Sequence, residues 1–343
     1  MEVENQSEEQ EDNDLFEHFK IVVDKGQSLL RIDKFLMLRI ENASRNRIQN
    51  AIDAENVLVN QKAIKASYKV KPYDEISIVL PHPPRDNEVY PEDIPLNIVY
   101  EDDDVVLVNK EAGMVVHPGY GNWNGTLVNA LVHHFSQLPQ LPGNDGRPGL
   151  VHRIDKDTSG LLLISKNERS MTYLAKQFYD HSITRQYLAL VWGDLESDGK
   201  VEGFIGRSIK DRKVMDVYDD PEKGKWSVTH YKVIERFNYV TLIQCELETG
   251  RTHQIRAHMQ HIGHPLFSDA TYGGDKIRKG TLFAKYKSFV ENCFTIMPRQ
   301  ALHAKTLGFI HPTKKKPVHF ETEIPEDFVA VLDKWRDYVK NVG

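Results

Sequence analysis

Residues 81 to 86 read PHPPRD, and three prolines in six residues stop any helix or internal strand from running through them. A proline has no amide hydrogen to give a helix or a sheet, so the chain must be built on either side of this break. With 343 residues there is enough sequence for roughly two domains, and the break says where they part. The expected organisation is an acidic tail over 1–19, a small domain over 20–80, a linker over 81–92 and a larger domain over 93–340.

Charge is distributed unevenly across these parts. The formal net charge is −6, yet residues 1–20 alone hold eight acids against one lysine. Such a stretch has too little apolar surface to fold by itself, and a disordered tail is expected. Residues 28–71 hold nine lysines and arginines against four acids, a local excess compatible with a phosphate backbone. The opening MEVENQSEEQEDND has neither the basic nor the apolar part of a secretion signal. No run approaches the roughly 20 apolar residues needed to cross a bilayer. A cytoplasmic protein without a membrane partner is expected. Two cysteines, Cys245 and Cys293, are too few for a disulfide framework or a four-cysteine metal site.

Within the small domain, FEHFKIVVD has strand character. Leu30, Ile32, Phe35, Leu36 and the stretch Leu38 to Ile40 follow helical spacing. A cap at Asn42 or Ser44 opens a second helix through Ile48 and Ile52; the strand VLV then ends at the turn pair Asn60 and Gln61, and DEISIVL is the last strand. In the larger domain, short strands flank Glu101–Asp104. Helices are expected over TLVNALVHHF, residues 169–180 and THQIRAHMQHIG, and strands over ITRQYLALVWG, WSVTHYKVIERF and YVTLIQCELETG. There is no regular strand–helix alternation, so the fold class is α+β, with a mixed, largely antiparallel sheet in the larger domain.

Four segments of that domain carry chemistry. HRIDKDTSG sets Asp155 between Arg153 and Lys156 ahead of the apolar run Leu161–Ile164. A salt-bridged surface loop would have the same composition. Tyr187 in ITRQYLALVWG is either core or a ring on which a base can stack. ETGRTHQIRAHMQHIGHPLFSD offers Arg251 and Arg256, each able to grip a carboxylate or phosphate through a bidentate fork. Its histidines, His253, His258, His261 and His264, lack the spacing and companion ligands of a zinc site, so no metal is expected. QALHAKTLGFIHP adds His303, which reads as a hydrogen-bonded core residue.

The segment RIDKFLMLRIENASRNRIQNAIDAENVLVNQKAI resembles the S4 RNA-binding domain. The strings IVYEDDDVVLVNKEAGMVVHPG, GLVHRIDKDTSGLLLISK, ITRQYLALVWG, ETGRTHQIRAHMQHIGHPLFSDATYGG and QALHAKTLGFIHP, in that order, resemble the RluA group of pseudouridine synthases, nearest its RluD branch. The two likenesses span residues 20–340. Glu111 replaces a usual proline and Ile154 a usual leucine, and neither change touches the carboxylate.

The resemblance implies a cofactor-free isomerase that converts specific uridines to pseudouridine in structured RNA, with large-subunit ribosomal RNA as the partner. It assigns catalysis to Asp155. It assigns support of the site to Arg256, which pairs with the aspartate, to Tyr187, which stacks on the uracil, and to Arg153, which contacts RNA near the flipped nucleotide. Arg31, Lys34, Arg45 and Arg47 would form the RNA-binding face of the S4-like domain. Lys110 and His117 stand as nearby supports, and a monomer is expected. Three alternatives stay open: a synthase acting on transfer RNA, an RNA-binding module without catalysis, and a carboxylate-dependent nucleoside or glycoside hydrolase using Glu248 or Asp269 as its second acid.

Overall fold

A computed structural model of the chain describes residues 16–40, 45–80, 89–119, 121–140, 146–211, 213–281 and 283–342. The chain divides into two compact units, Met1–Glu88 and Val89–Gly343. The division falls inside the expected linker, of which 81–88 lie outside the described residues, as do the expected caps at Asn42 and Ser44.

The first unit contains β1 (Phe16–Val22), β2 (Leu30–Arg31), α1 (Ile32–Arg39), α2 (Arg45–Asp53), β3 (Val57–Val59), β4 (Lys62–Ala63), β5 (Lys69–Val70) and β6 (Glu75–Leu80). Its main sheet has the order β1-β6-β3-β4. Phe16 pairs with Leu80, so residues 16–19, inside the span given to the acidic tail, belong to β1. The hairpin between β3 and β4 turns on Asn60 and Gln61, whose φ values of 47° and 67° match a tight primed turn. Ile32, Phe35 and Leu36 of α1 meet Ile48 and Ile52 of α2 over Val57, Val59 and Ile76. The apolar pattern of α1 is wider than its buried stripe: Leu38 is 73% exposed.

The second unit begins with β7 (Ile98–Glu101), β8 (Val105–Lys110), α3 (Leu127–His134), β9 (Ser159–Ser165), α4 (Glu168–Tyr179) and β10 (Thr184–Trp192). It continues with β11 (Gly199–Arg207), β12 (Met215–Tyr218), β13 (Lys225–Arg236), β14 (Val240–Leu247) and α5 (Gln254–His261), then α6 (Ala284–Ile296), β15 (Leu302–Ile310), β16 (Pro317–Glu321) and α7 (Glu326–Val342). The strands form one ten-stranded sheet in the order β12-β11-β13-β14-β10-β15-β9-β8-β7, with β16 on β15. Every pairing between these strands is antiparallel except β9 with β15, which gives the mixed, largely antiparallel sheet expected.

The central strands are apolar on both faces because both faces are covered. Leu162, Ile164, Ala189 and Val191 enter one core with Ile255 and Met259 of α5. Their neighbours Leu188, Leu190 and Trp192 enter another with Val290 of α6 and Trp335 of α7. This is why LLLI and LALVW read as unbroken runs rather than alternating ones. Gly160 joins the only parallel ladder among these strands: it faces Ala304 with φ of 114°, and a Cβ there would strike the Ala304 carbonyl. No helix among the described residues is long and apolar enough to cross a membrane.

Candidate active site

The HRIDKDTSG loop is held from beneath before it enters β9. The Lys110 ammonium, buried at the end of β8, donates to the carbonyls of Glu111, Met114 and Lys156 at 2.6, 2.9 and 2.8 Å. Burial carries its pKa down to about 7, against the pull of Asp157 and Asp155. Arg299 donates to the Asp157 carbonyl at 3.2 Å while it grips Asp327 at 2.7 and 2.8 Å. A short loop tied on both sides presents Asp155 in a fixed place, which a flexible salt-bridged surface loop would not do.

Asp155 meets Arg256, which comes from the other side of the site on α5. Arg256 donates from Nη1 to Asp155 Oδ2 at 3.0 Å, and from Nε and Nη2 to the two oxygens of Asp269 at 2.7 and 2.9 Å. Burial disfavours this charge, but the Asp269 hydrogen bonds and both carboxylates outweigh it and hold the guanidinium above its ordinary pKa. The arginine therefore stays charged at any working pH. The side chain of Asp155 keeps 17% of its surface, against 1% for Asp269. One carboxylate is open to a substrate and the other is locked. The Arg256 guanidinium also lies over the Tyr272 ring, its carbon 5.1 Å from the ring centre.

A cavity of about 670 Å³ opens over this ion pair, lined among others by Arg153, Asp155, Arg185, Tyr187, His253 and Arg256. Tyr187 is 7% exposed, packed largely in the core, and it is among the residues that line the cavity. Burial raises its pKa and keeps the phenol neutral. Arg153 is exposed at the cavity wall. His117 lies outside this lining, pushed down to about 4 by burial and then by Arg147 and Arg153.

The four histidines diverge. His253, in a left-handed conformation with φ of 54° at the start of α5, points its Nε2 to within 3.9 Å of Asp155 and its Nδ1 to 3.2 Å from the Tyr272 hydroxyl. Burial lowers its pKa, with Asp155 pulling the other way. His258 is buried between Ser227 and Thr229 at 3.0 and 2.9 Å, and His264 meets the Trp192 carbonyl at 2.7 Å. Among the described residues one cluster, Asp102, Asp104 and His311, has metal-like spacing. Its Asp102 already accepts from the Tyr100 hydroxyl, Lys314 and His311, so the protein's own donors fill it. His303 sits in the core, 2.9 Å from the Ser159 hydroxyl.

The second acid of a hydrolase is not where that alternative needs it. Asp269 is sealed against Arg256, and Glu248 lies exposed, 2.6 Å from His230. Sequence reasoning nominated Asp269 only as that acid and missed its actual work, holding Arg256.

Known proteins resemble both units of the chain. Residues 104–261 match the RNA pseudouridylate synthase family and residues 30–76 match the S4 domain. A Chlorobaculum parvum protein described as an uncharacterized RNA pseudouridine synthase is 47% identical over 318 residues, covering 92% of this chain and 96% of that protein. The chain belongs to the RNA pseudouridine synthases. Ribosomal large subunit pseudouridine synthase D of Zymomonas mobilis is 44% identical over 300 residues, covering 87% of this chain and 91% of that protein. Among solved structures, human RNA pseudouridylate synthase domain containing 1 matches with a TM-score of 0.51 at 25% identity, over 72% of this chain and 95% of the human one. This pseudouridine synthase thus carries an RNA-binding S4 domain ahead of an isomerase domain.

In the S4 domain the cations are not independent. Arg31 and Arg45 both reach Asp33, each through hydrogen bonds of 3.0 and 3.1 Å, and Asp33 is fully buried. Burial opposes its charge, but these arginines carry its pKa down to about 2. The arginine side chains keep 42% and 47% of their surface, so one aspartate clamps both helix starts while the guanidinium edges stay open. Lys34 is exposed on α1. Arg47 lies in α2, and its side chain is outside the described residues.

Proposed function

We propose that this pseudouridine synthase modifies uridines in structured large-subunit ribosomal RNA, with Asp155 as its catalytic carboxylate. The observation that carries the assignment is the open, arginine-held carboxylate of Asp155 on the wall of a cavity that also receives Tyr187. The ribosomal substrate is supported by the relatives named for the large subunit.

The reaction breaks the C1′–N1 bond of uridine and forms a C1′–C5 bond. C5 loses a proton and N1 gains one, so nothing is oxidised and no water is consumed. The target base must first leave its stack, at a cost of a few kcal/mol. Arg153, at the cavity wall, offsets part of that cost through RNA contacts. The flat ring of Tyr187 lies under the uracil and lets it turn in its own plane. Asp155 then acts on the sugar, either by attacking C1′ or by taking the C2′ proton. Both routes need the carboxylate held in one orientation, and the hydrogen bond from Arg256 fixes it. Arg31, Lys34, Arg45 and Arg47 add affinity for the RNA backbone without reading bases.

A site-resolved pseudouridine map of cellular RNA, with and without the gene, tests the substrate. Sites lost from large-subunit ribosomal RNA are expected. Losses confined to transfer RNA would contradict the assignment.

A further inference from the structure

Among the described residues, Arg185 is a buried cation with no acid beside it. The residue is 7% exposed, and its Nε is fully buried without a hydrogen-bond partner. The guanidinium lies over the Phe178 ring, 5.5 Å from its centre. Burial lowers its pKa, against a pull from the Tyr187 phenol, which burial itself keeps neutral. His152 is no counter-charge either: burial and Arg185 push it down to about 3, and its Nε2 accepts from the Leu163 amide at 2.9 Å.

An unpaired buried charge is costly, and two other guanidiniums of this unit with little exposed surface are each paired with an acid. Arg256 grips Asp269 and Arg299 grips Asp327. Arg185 has no such partner among the described residues and, like Arg256, lines the cavity of Asp155 and Tyr187. It stands two residues before Tyr187 on β10, hence on the same face and about 6.6 Å along the strand. That spacing is of the order that separates a nucleobase from its own backbone phosphate. Room for the guanidinium is kept at Gly250, where a Cβ would lie 2.8 Å from Arg185 Nη1.

We propose that Arg185 binds an RNA phosphodiester adjoining the uridine whose base stacks on Tyr187. The guanidinium is then left uncompensated in the free protein and becomes paired when RNA enters. The RNA's own charge is the missing partner, so the site favours a nucleotide within a strand over a free nucleoside. This inference rests on the cavity's being the uridine site.

The test uses the full-length protein and RNA hairpins carrying one uncharged methylphosphonate in turn at each linkage from two nucleotides before the target uridine to two after it. Wild-type protein should lose about tenfold in affinity at one linkage beside the target. Arg185→Gln should lose a similar factor on unmodified RNA, be indifferent to the methylphosphonate at that one linkage, and show a salt slope smaller by about 0.7, the value for one single-stranded phosphate. Should the glutamine variant fail to fold, Arg185→Lys must retain sensitivity to the same linkage at reduced affinity. Gly250→Ala, which crowds the guanidinium without removing it, should weaken binding at that linkage too. Losses from Arg185→Gln and from the methylphosphonate that multiply at every linkage would overturn the proposal, as would an unchanged salt slope. If Asp155→Asn were active, the cavity reading itself would fall; if Asp155→Asn is inactive and no linkage couples to Arg185, only the phosphate assignment falls.

Discussion

Arg256 stands between two carboxylates, giving one hydrogen bond of 3.0 Å to Asp155 and two, of 2.7 and 2.9 Å, to Asp269. The three donors use the planar fork in both directions, which a lysine cannot copy. Arg256→Lys should therefore lower kcat by about a hundredfold while KM for RNA changes less than about threefold. Single-turnover and steady-state rates on the same hairpin measure this. A lysine variant with a near-normal rate would mean that a point charge suffices.

Tyr187 is proposed as the base platform. Replacing it with alanine removes a stack worth roughly 1–3 kcal/mol per base. Tyr187→Ala should lose at least about tenfold more in single-turnover rate than in RNA affinity, since the extended phosphate contacts remain. Equal losses in the two measurements would return Tyr187 to a purely packing role.

Asp33 links stability of the S4 domain to pH. Its pKa is depressed to about 2, below the ordinary carboxylate value, so its contribution is present above about pH 4 and fades as pH falls towards 2. Asp33→Asn leaves Arg31 and Arg45 without their shared partner. Discounting for the solvent-exposed parts of both arginines, a loss of about 1–3 kcal/mol at pH 7 is expected. Urea melts of the two proteins should converge as the pH is lowered below 4. A gap that widened on acidification would have the wrong sign.

Lys34 is on the outside of α1, where a charge can meet RNA without serving the core. Lys34→Gln should weaken binding to structured RNA and lower the salt slope by about one, with no change in the melt. An unaltered slope would remove Lys34 from the binding face.

Gly160 has φ of 114° and no space for a Cβ against Ala304. Gly160→Ala combines backbone strain with a clash at the join of β9 and β15. A loss of at least about 3 kcal/mol, or failure to fold, is expected. An unshifted thermal midpoint would show that this ladder can give way.

Much of this architecture is legible in the sequence, because the runs LALVW and LLLI are bounded by turn residues and too short to be anything but buried strands. Periodicity does not say which face each residue takes or what crosses the sheet. Asp155 and Arg256 are 101 positions apart, and only likeness to a known family joins them before the fold is known. Asp269 looked like a spare acid because its partner is invisible until α5 is placed beside it. Arg31 and Arg45 read as cations facing RNA; that the contact of α1 with α2 also brings both onto Asp33 is not visible in the sequence. Arg185 gave no signal beyond a cation at the start of an apolar strand; its importance lies in an absent partner, which only packing reveals.

The central claim is that Asp155 performs the chemistry, and the atom balance supplies its most direct measurement. Joining C5 to C1′ expels the C5 proton, so RNA carrying tritium at C5 of the target uridine releases it to water once per turnover. With enzyme in excess, Asp155→Asn should bind the RNA within about threefold of wild type and release tritium at least about 10⁴-fold more slowly. Release by the purified variant at a rate near wild type would contradict the account.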